Sequence, residues 1–199
     1  MEALERDEFL RTAWRVTVAS RIAPERFVFV DEMGSNTSLH SRYAWSKKGE
    51  RAYCSVPRNR GKNTTLLASM DVEGMGPSAA IVGAVDAQAF EAYLEQVLLS
   101  HLRPGQVVVM NNLSAHKGQR VKELVEGAGC ELLYLPPYSP DLNPIEECFS
   151  KIKSLLRKAE ARSREVLVEA MGRAMSSITE RDAQGFFENC GYRLLVQPF

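Results

Sequence analysis

The stretch Tyr134–Phe149, Tyr-Leu-Pro-Pro-Tyr-Ser-Pro-Asp-Leu-Asn-Pro-Ile-Glu-Glu-Cys-Phe, constrains this chain more than any other. Prolines at 136, 137, 140 and 144 fix φ, remove N–H donors and push their predecessors out of the α region. Regular structure is therefore excluded before the last of them, and the segment reads as a stiff loop. Asn143 then reads as a helix N-cap, with Pro144 at the first helical position, where a missing N–H costs nothing. That sets Glu146 in the first helical turn. A strand end, a rigid loop and a carboxylate at a helix start together hold one acid in a fixed place, as a metal ligand requires. The same residues also suit a proline-rich connection whose acids complement the helix dipole.

Other continuous apolar runs end on polar residues. Phe27–Val30 reads as a buried strand ending at Asp31-Glu32, Gln106–Met110 as a second stopping at Asn111-Asn112, and Cys130–Leu135 as the strand that feeds the loop. The carboxyl ends of such strands are where α/β folds place ligand chemistry, although a strand-end acid can also simply form a turn. Further strands are expected over residues 64–70 and 79–85, the latter after a turn at Gly74-Met75-Gly76-Pro77, and a hairpin of two short strands over 41–56 around Lys48-Gly49-Glu50. Helical spacing predicts helices over 87–101, 117–126, 144–158 and 163–178. The order is that of an α/β fold, a mixed sheet covered on both faces. The expected organisation is a leader helix over 1–24, one catalytic-sized domain over 25–180, and a tail over 181–199 packed on that domain.

A chain of 199 residues with 45% apolar and 25% charged residues is ample for one core. Its formal net charge is zero, so a polyanionic partner would have to be met by local clusters. Arg42, Lys47, Lys48 and Arg51 lie on or near the expected hairpin; Arg58, Arg60 and Lys62 fill the next loop; Lys151, Lys153, Arg157 and Lys158 follow Glu146 on its helix. Such clusters suit phosphate contacts, and also a solvated surface. Trp45 could stack on a base or pack in the hairpin. His116 could position a phosphate or simply begin a helix. Four cysteines without a CxxC pair argue for free thiols in a reducing cytoplasm. No run of 18 apolar residues and a charged N-terminus exclude a spanning helix and a signal peptide from the reading.

Val30-Asp31-Glu32, the run Val108-Val109-Met110-Asn111-Asn112-Leu113-Ser114-Ala115-His116-Lys117, and Tyr134–Glu147 together resemble the catalytic region of a DDE transposase, in the bacterial insertion-sequence branch of the mariner superfamily. The likeness runs from about residue 25 to Tyr192, and the 34 residues between Asn111 and Glu146 match the spacing between that branch's second and third acids. The resemblance implies a ribonuclease H-like fold with a mixed five-stranded sheet and helices on both faces. It makes Asp31, position 111 and Glu146 the catalytic, metal-ligating set of a two-metal Mg2+ or Mn2+ site, in which ions about 3.5–4 Å apart activate the attacking oxygen and stabilise the leaving one. It also implies double-stranded DNA as partner, both transposon ends and target, with Arg42, Trp45, Lys47, Arg58, Arg60, Lys62, Asn112, His116, Lys117, Lys151 and Lys153 as candidate contacts. A homodimer is implied, in a DNA-associated, bacterial cytoplasmic setting.

The family normally carries helix-turn-helix modules upstream. Residues 1–24 are too short for one, so the chain is expected to be a catalytic fragment or the second product of a split reading frame, with weak end recognition. A sharper departure is Asn111, where the family has aspartate. An amide brings no charge, so two dications would face two carboxylates instead of three, and catalysis is expected to be crippled. Natural decay and deliberate replacement both fit. The competing expectations are a ribonuclease H-like nuclease with another substrate, against which the Asn-Pro-Ile-Glu motif argues, and a non-catalytic or dominant-negative DNA-binding protein, which Asn111 favours.

Overall fold

The computed structural model describes residues 6–41, 43–59, 61–113 and 116–194. Arg42 and Arg60, and with them the first five residues of the leader and residues 195–199 of the tail, lie outside the described residues.

One five-stranded sheet organises the chain, in the order β3-β2-β1-β4-β5. Its strands are β1 (Phe27–Ser35), β2 (Thr64–Asp71), β3 (Gly74–Val82), β4 (Val107–Met110) and β5 (Glu131–Tyr134). The first three pair antiparallel, and β1, β4 and β5 pair parallel. β4 is buried along its whole length, as a central parallel strand with both faces covered must be. The helices are α1 (Glu8–Trp14), α2 (Ala87–Tyr93), α3 (Gln119–Gly127), α4 (Pro144–Ala159), α5 (Arg164–Ser176) and α6 (Glu180–Asn189). α2 continues through wider and tighter turns to His101, as the spacing over 87–101 predicts.

Strand alternation decides which helix meets which face. Phe27, Phe29 and Met33 point into a core with Cys148, Ile152 and Leu156 of α4, Leu167 and Met171 of α5 and Phe187 of α6. Val28 and Val30 point the other way, into a core with Phe90, Leu94 and Leu98 and with Val121 and Val125 of α3. Asp31 has the parity of Phe29 and belongs to the α4 side, whereas Glu32 belongs to the α2–α3 side.

Three expectations are corrected. Residues 41–56 form no strand among the described residues; the turn survives, with Glu50 N–H on the Lys47 carbonyl, but Tyr43, Trp45 and Tyr53 are fully exposed, so no apolar face is buried to hold a ladder together. β3 begins at Gly74 and not after Pro77, because the turn sits at Val72-Glu73, closed by Glu73 N–H on Asp71 Oδ1 and by Gly74 at φ 140°. Pro77 is tolerated because β3 is an edge strand. The segment after residue 180 is not simply a tail: α6 starts on a capping box between Thr179 and Asp182, and Phe187 and Tyr192 stack edge-on against Phe29.

Candidate active site

The parallel register brings three chain positions level. Val30 pairs with Met110 and Met110 with Tyr134, so the next residues of their strands, Asp31, Asn111 and Leu135, share one level at the end of the parallel ladder. Asp31 is not at the end of its strand, as expected, but at the point where β4 stops while β1 continues against β2. A parallel neighbour that ends early opens a cleft beside a strand that does not. That cleft, of about 370 Å³, is lined by Asp31, Asn111, Asn112, the loop Leu135–Pro140, Asn143 and Glu146.

No strand or α-helix forms between Tyr134 and Pro144, and the loop is strained. Tyr138, directly after Pro137, has φ 50°, a left-handed conformation that an aromatic residue adopts only when its surroundings impose it. After a short turn at Pro140–Leu142, α4 starts at Pro144 with Glu146 in its first turn. Asn143 occupies the N-cap position, but its side chain does not cap the helix; Nδ2 donates to Asp31 Oδ2 at 2.8 Å instead.

Asp31 is buried and receives three hydrogen bonds. Oδ1 accepts from its neighbour's backbone, Glu32 N–H, at 2.8 Å and from Asn111 Nδ2 at 2.8 Å, and Oδ2 accepts from Asn143. The amide orientation of Asn111 is determined by its surroundings, because its Oδ1 in turn accepts from Leu113 N–H at 3.2 Å. Burial pushes the Asp31 carboxyl up to about 7; the Glu32 N–H works against that shift, and the charges of Glu146 and Glu32 add to it. Burial and the neighbouring charges of Glu146 and Glu32 make an ionised Asp31 costly, a cost that a bound cation would relieve.

His116 does not stand where a DNA contact could reach it. It is wholly buried, stacked on Phe90 at 4.1 Å between ring centres, with Nε2 3.0 Å from Glu32 Oε2. A carboxylate only accepts, so Nε2 carries the proton. Tyr134 O–H donates to the His116 carbonyl at 2.7 Å, so the segment after Asn111 is pinned to β1 and β5 together. This role follows from the alternation that turns Glu32 away from Asp31, and position in the sequence alone did not reveal it.

The remaining candidates are spread around this centre. Asn112 lines the cleft and Lys117 is exposed. Trp45, Lys47, Arg58 and Lys62 are exposed on the segment between β1 and β2. Lys151 on α4 pairs with Asp182 on α6 at 2.6 Å, and Lys153 is half-buried. Among the described residues no group of three or more acidic, histidine or cysteine side chains could hold a metal ion. Position 111 supplies none of these side chains. Asp31 and Glu146 are hard oxygen donors suited to one divalent cation, but the third position turns an amide N–H, a donor, toward the carboxylate it would have to assist. The residues present thus fit a two-carboxylate cation site and not a three-carboxylate, two-cation one.

Residues 26–168 match the family described as DDE superfamily endonuclease. Among curated proteins, the chain is 27% identical over 127 residues to the transposable element Tcb1 transposase of Caenorhabditis briggsae, covering 62% of this chain and 45% of that protein. Among solved structures it resembles the Mos1 strand transfer complex, with a TM-score of 0.75 and 20% identity over 96% of this chain and 60% of that one. It also resembles the Mos1 mariner paired end complex with Mn, with a TM-score of 0.75 and 17% identity over 96% of this chain and 62% of that one. These likenesses establish the ribonuclease H-like fold, and the chain spans about half to three fifths of the length of these relatives.

Proposed function

The chain belongs to the DDE superfamily endonuclease family, and from that premise we propose that it is the catalytic domain of a mariner-superfamily DNA transposase, of the bacterial insertion-sequence branch, with its chemistry impaired by Asn111. The observation that carries this is the convergence of Asp31, Asn111 and Glu146 on one cleft through strand register and the proline-rich loop.

Asp31 and Glu146 would hold a divalent cation, Mg2+ or Mn2+. A cation held there would supply Lewis-acid stabilisation of charge on the phosphodiester oxygens during cleavage and strand transfer. The protein's own part is to hold Asp31 from both sides through Asn143 and the Glu32 N–H, and to present Glu146 from the first turn of a helix whose lead-in is restricted at φ by its prolines. Lys47, Arg58, Lys62 and Lys117 would track phosphates of transposon-end and target DNA.

Asn111 satisfies Asp31 without supplying charge. For this reason a second reading has support: a transposase-derived protein that binds DNA ends without cutting them. A homodimer, an upstream helix-turn-helix module or chain, and a DNA-associated bacterial cytoplasm complete the proposal; no helix among the described residues is long and apolar enough to cross a membrane. Magnesium-dependent nicking of transposon-end DNA by the Asn111→Asp chain, lost again when Asp31→Ala is added, tests the enzyme reading.

A further inference from the structure

The loop that delivers Asn143 and Glu146 is gripped by two elements outside the family-matched residues 26–168. From α1, Arg11 is 0% exposed and forms a two-pronged ion pair with Asp141, Nη1 to Oδ1 at 2.9 Å and Nη2 to Oδ2 at 2.6 Å. Arg15 reaches the same carboxylate at 3.2 Å. From beyond α6, the buried Tyr192 donates its hydroxyl to the Leu142 carbonyl at 2.7 Å and accepts from Trp14 Nε1 at 3.0 Å. Asp141 and Leu142 lie in the Pro140–Leu142 turn, and the next residue is Asn143, whose amide holds Asp31.

Ordinary packing of a leader helix does not account for this. α1 does bury Trp14 in the core, yet it leaves Phe9 80% and Leu10 45% exposed and buries Arg11 beside the tryptophan, so apolar burial is only part of what docks it. Burying a guanidinium is unfavourable unless it is paired, and the fork pairing restricts angle as well as distance. The Arg11 guanidinium accordingly holds the Asp141 carboxyl below the usual carboxylate range.

We propose that α1 and Tyr192 form a clamp that sets the acid-bearing loop, making Arg11, Asp141 and Tyr192 positioning residues for Asp31 and Glu146. The clamp rests on the reading of those two acids as cation ligands.

The test uses the full chain with Asp141→Asn, Arg11→Lys, which keeps charge but loses the fork, and Tyr192→Phe, which loses only a hydroxyl. Arg120→Ala, which breaks the surface pair with Glu95, is the control. Amide exchange from Asn143 to Cys148 in metal-free protein is expected to accelerate about tenfold in Asp141→Asn and Tyr192→Phe, with β1 and β4 unchanged. Mn2+ affinity by titration is expected to fall by about the same factor, with Arg11→Lys between parent and Asp141→Asn and with metal-free affinity for duplex DNA unchanged. Unchanged exchange at 143–148, or acceleration shared by β1 and β4, overturns the clamp, since the second is only global loosening. A parent that binds Mn2+ with variants that bind it equally well overturns the clamp alone. A parent that takes up no Mn2+ overturns the cation reading, and the positioning role with it.

Discussion

Asn111 donates its side-chain amide to Asp31 Oδ1 at 2.8 Å, so a neutral donor stands where a second carboxylate would face the first. The hydrogen bond makes the metal-free site self-consistent: Asp31, buried, has a donor on each oxygen. It also leaves the site with less negative charge to draw in a cation than a third carboxylate would give it.

Replacing Asn111 by Asp restores that charge. Two carboxylates at hydrogen-bond distance repel unless a proton or a cation lies between them. Asn111→Asp should lower the midpoint of thermal unfolding without divalent cation by about 5–10 °C, and millimolar Mg2+ or Mn2+ should recover most of the loss. In the parent chain the same cations should shift the midpoint far less. Equal metal dependence in both chains contradicts this.

The raised Asp31 carboxyl makes stability depend on pH in an unusual direction. Its folded value, about 7, lies above the unfolded value of 3.8, so between those limits the folded form binds more protons. The free energy of unfolding therefore falls as pH rises through that window, by up to about 1.4 kcal/mol per unit from this group, and is flat outside it. Asp31→Asn cannot titrate, so the parent should lose stability relative to it from pH 4 to pH 7. Urea unfolding across that range reads the difference, and a constant gap contradicts the assignment.

Asn143→Ala should cost about 1–3 kcal/mol, because it leaves a buried carboxylate oxygen without its donor. The loss does not come from a helix cap, since the Asn143 side chain makes no capping bond. A double-mutant cycle with Asp31→Asn separates the two: coupling is expected, and additivity within about 0.5 kcal/mol places the cost elsewhere.

Single alanine replacements of Lys47, Arg58 or Lys62 should weaken non-specific DNA binding and reduce the slope of log K against log salt by about 0.9 each. Lys151→Ala should do less, because Lys151 is already paired with Asp182. Fluorescence anisotropy over a salt series distinguishes these outcomes.

Much of this architecture could be read in the sequence because local and tertiary preferences agree there. The runs Phe27–Val30 and Val107–Met110 are apolar on both faces and became central strands, and Pro144 and Glu146 began a helix as their types dictate. Residues 41–56 misled because alternation with a turn at Lys48-Gly49 favours a hairpin only if one face is buried, and neighbours far along the chain decide that. α6 went unread because Gly185 weakens its interior, although Thr179 and Asp182 carried a capping signal. The three positions that the sequence singles out line one cleft, but the connections around them were not legible. Asn143 reaches Asp31, Arg11 reaches Asp141, and His116 reaches Glu32 across 112, 130 and 84 residues, distances over which no periodicity carries information.

The most direct test of the account is cleavage of transposon-end DNA in magnesium by the parent and by Asn111→Asp, side by side at equal protein and DNA concentrations. Restoring the third carboxylate is predicted to raise the nicking rate by about 100-fold or more, the equivalent of the several kcal/mol that charge in a metal site supplies. A parent chain that nicks as fast as Asn111→Asp would contradict the claim that the amide at 111 is what disables the site.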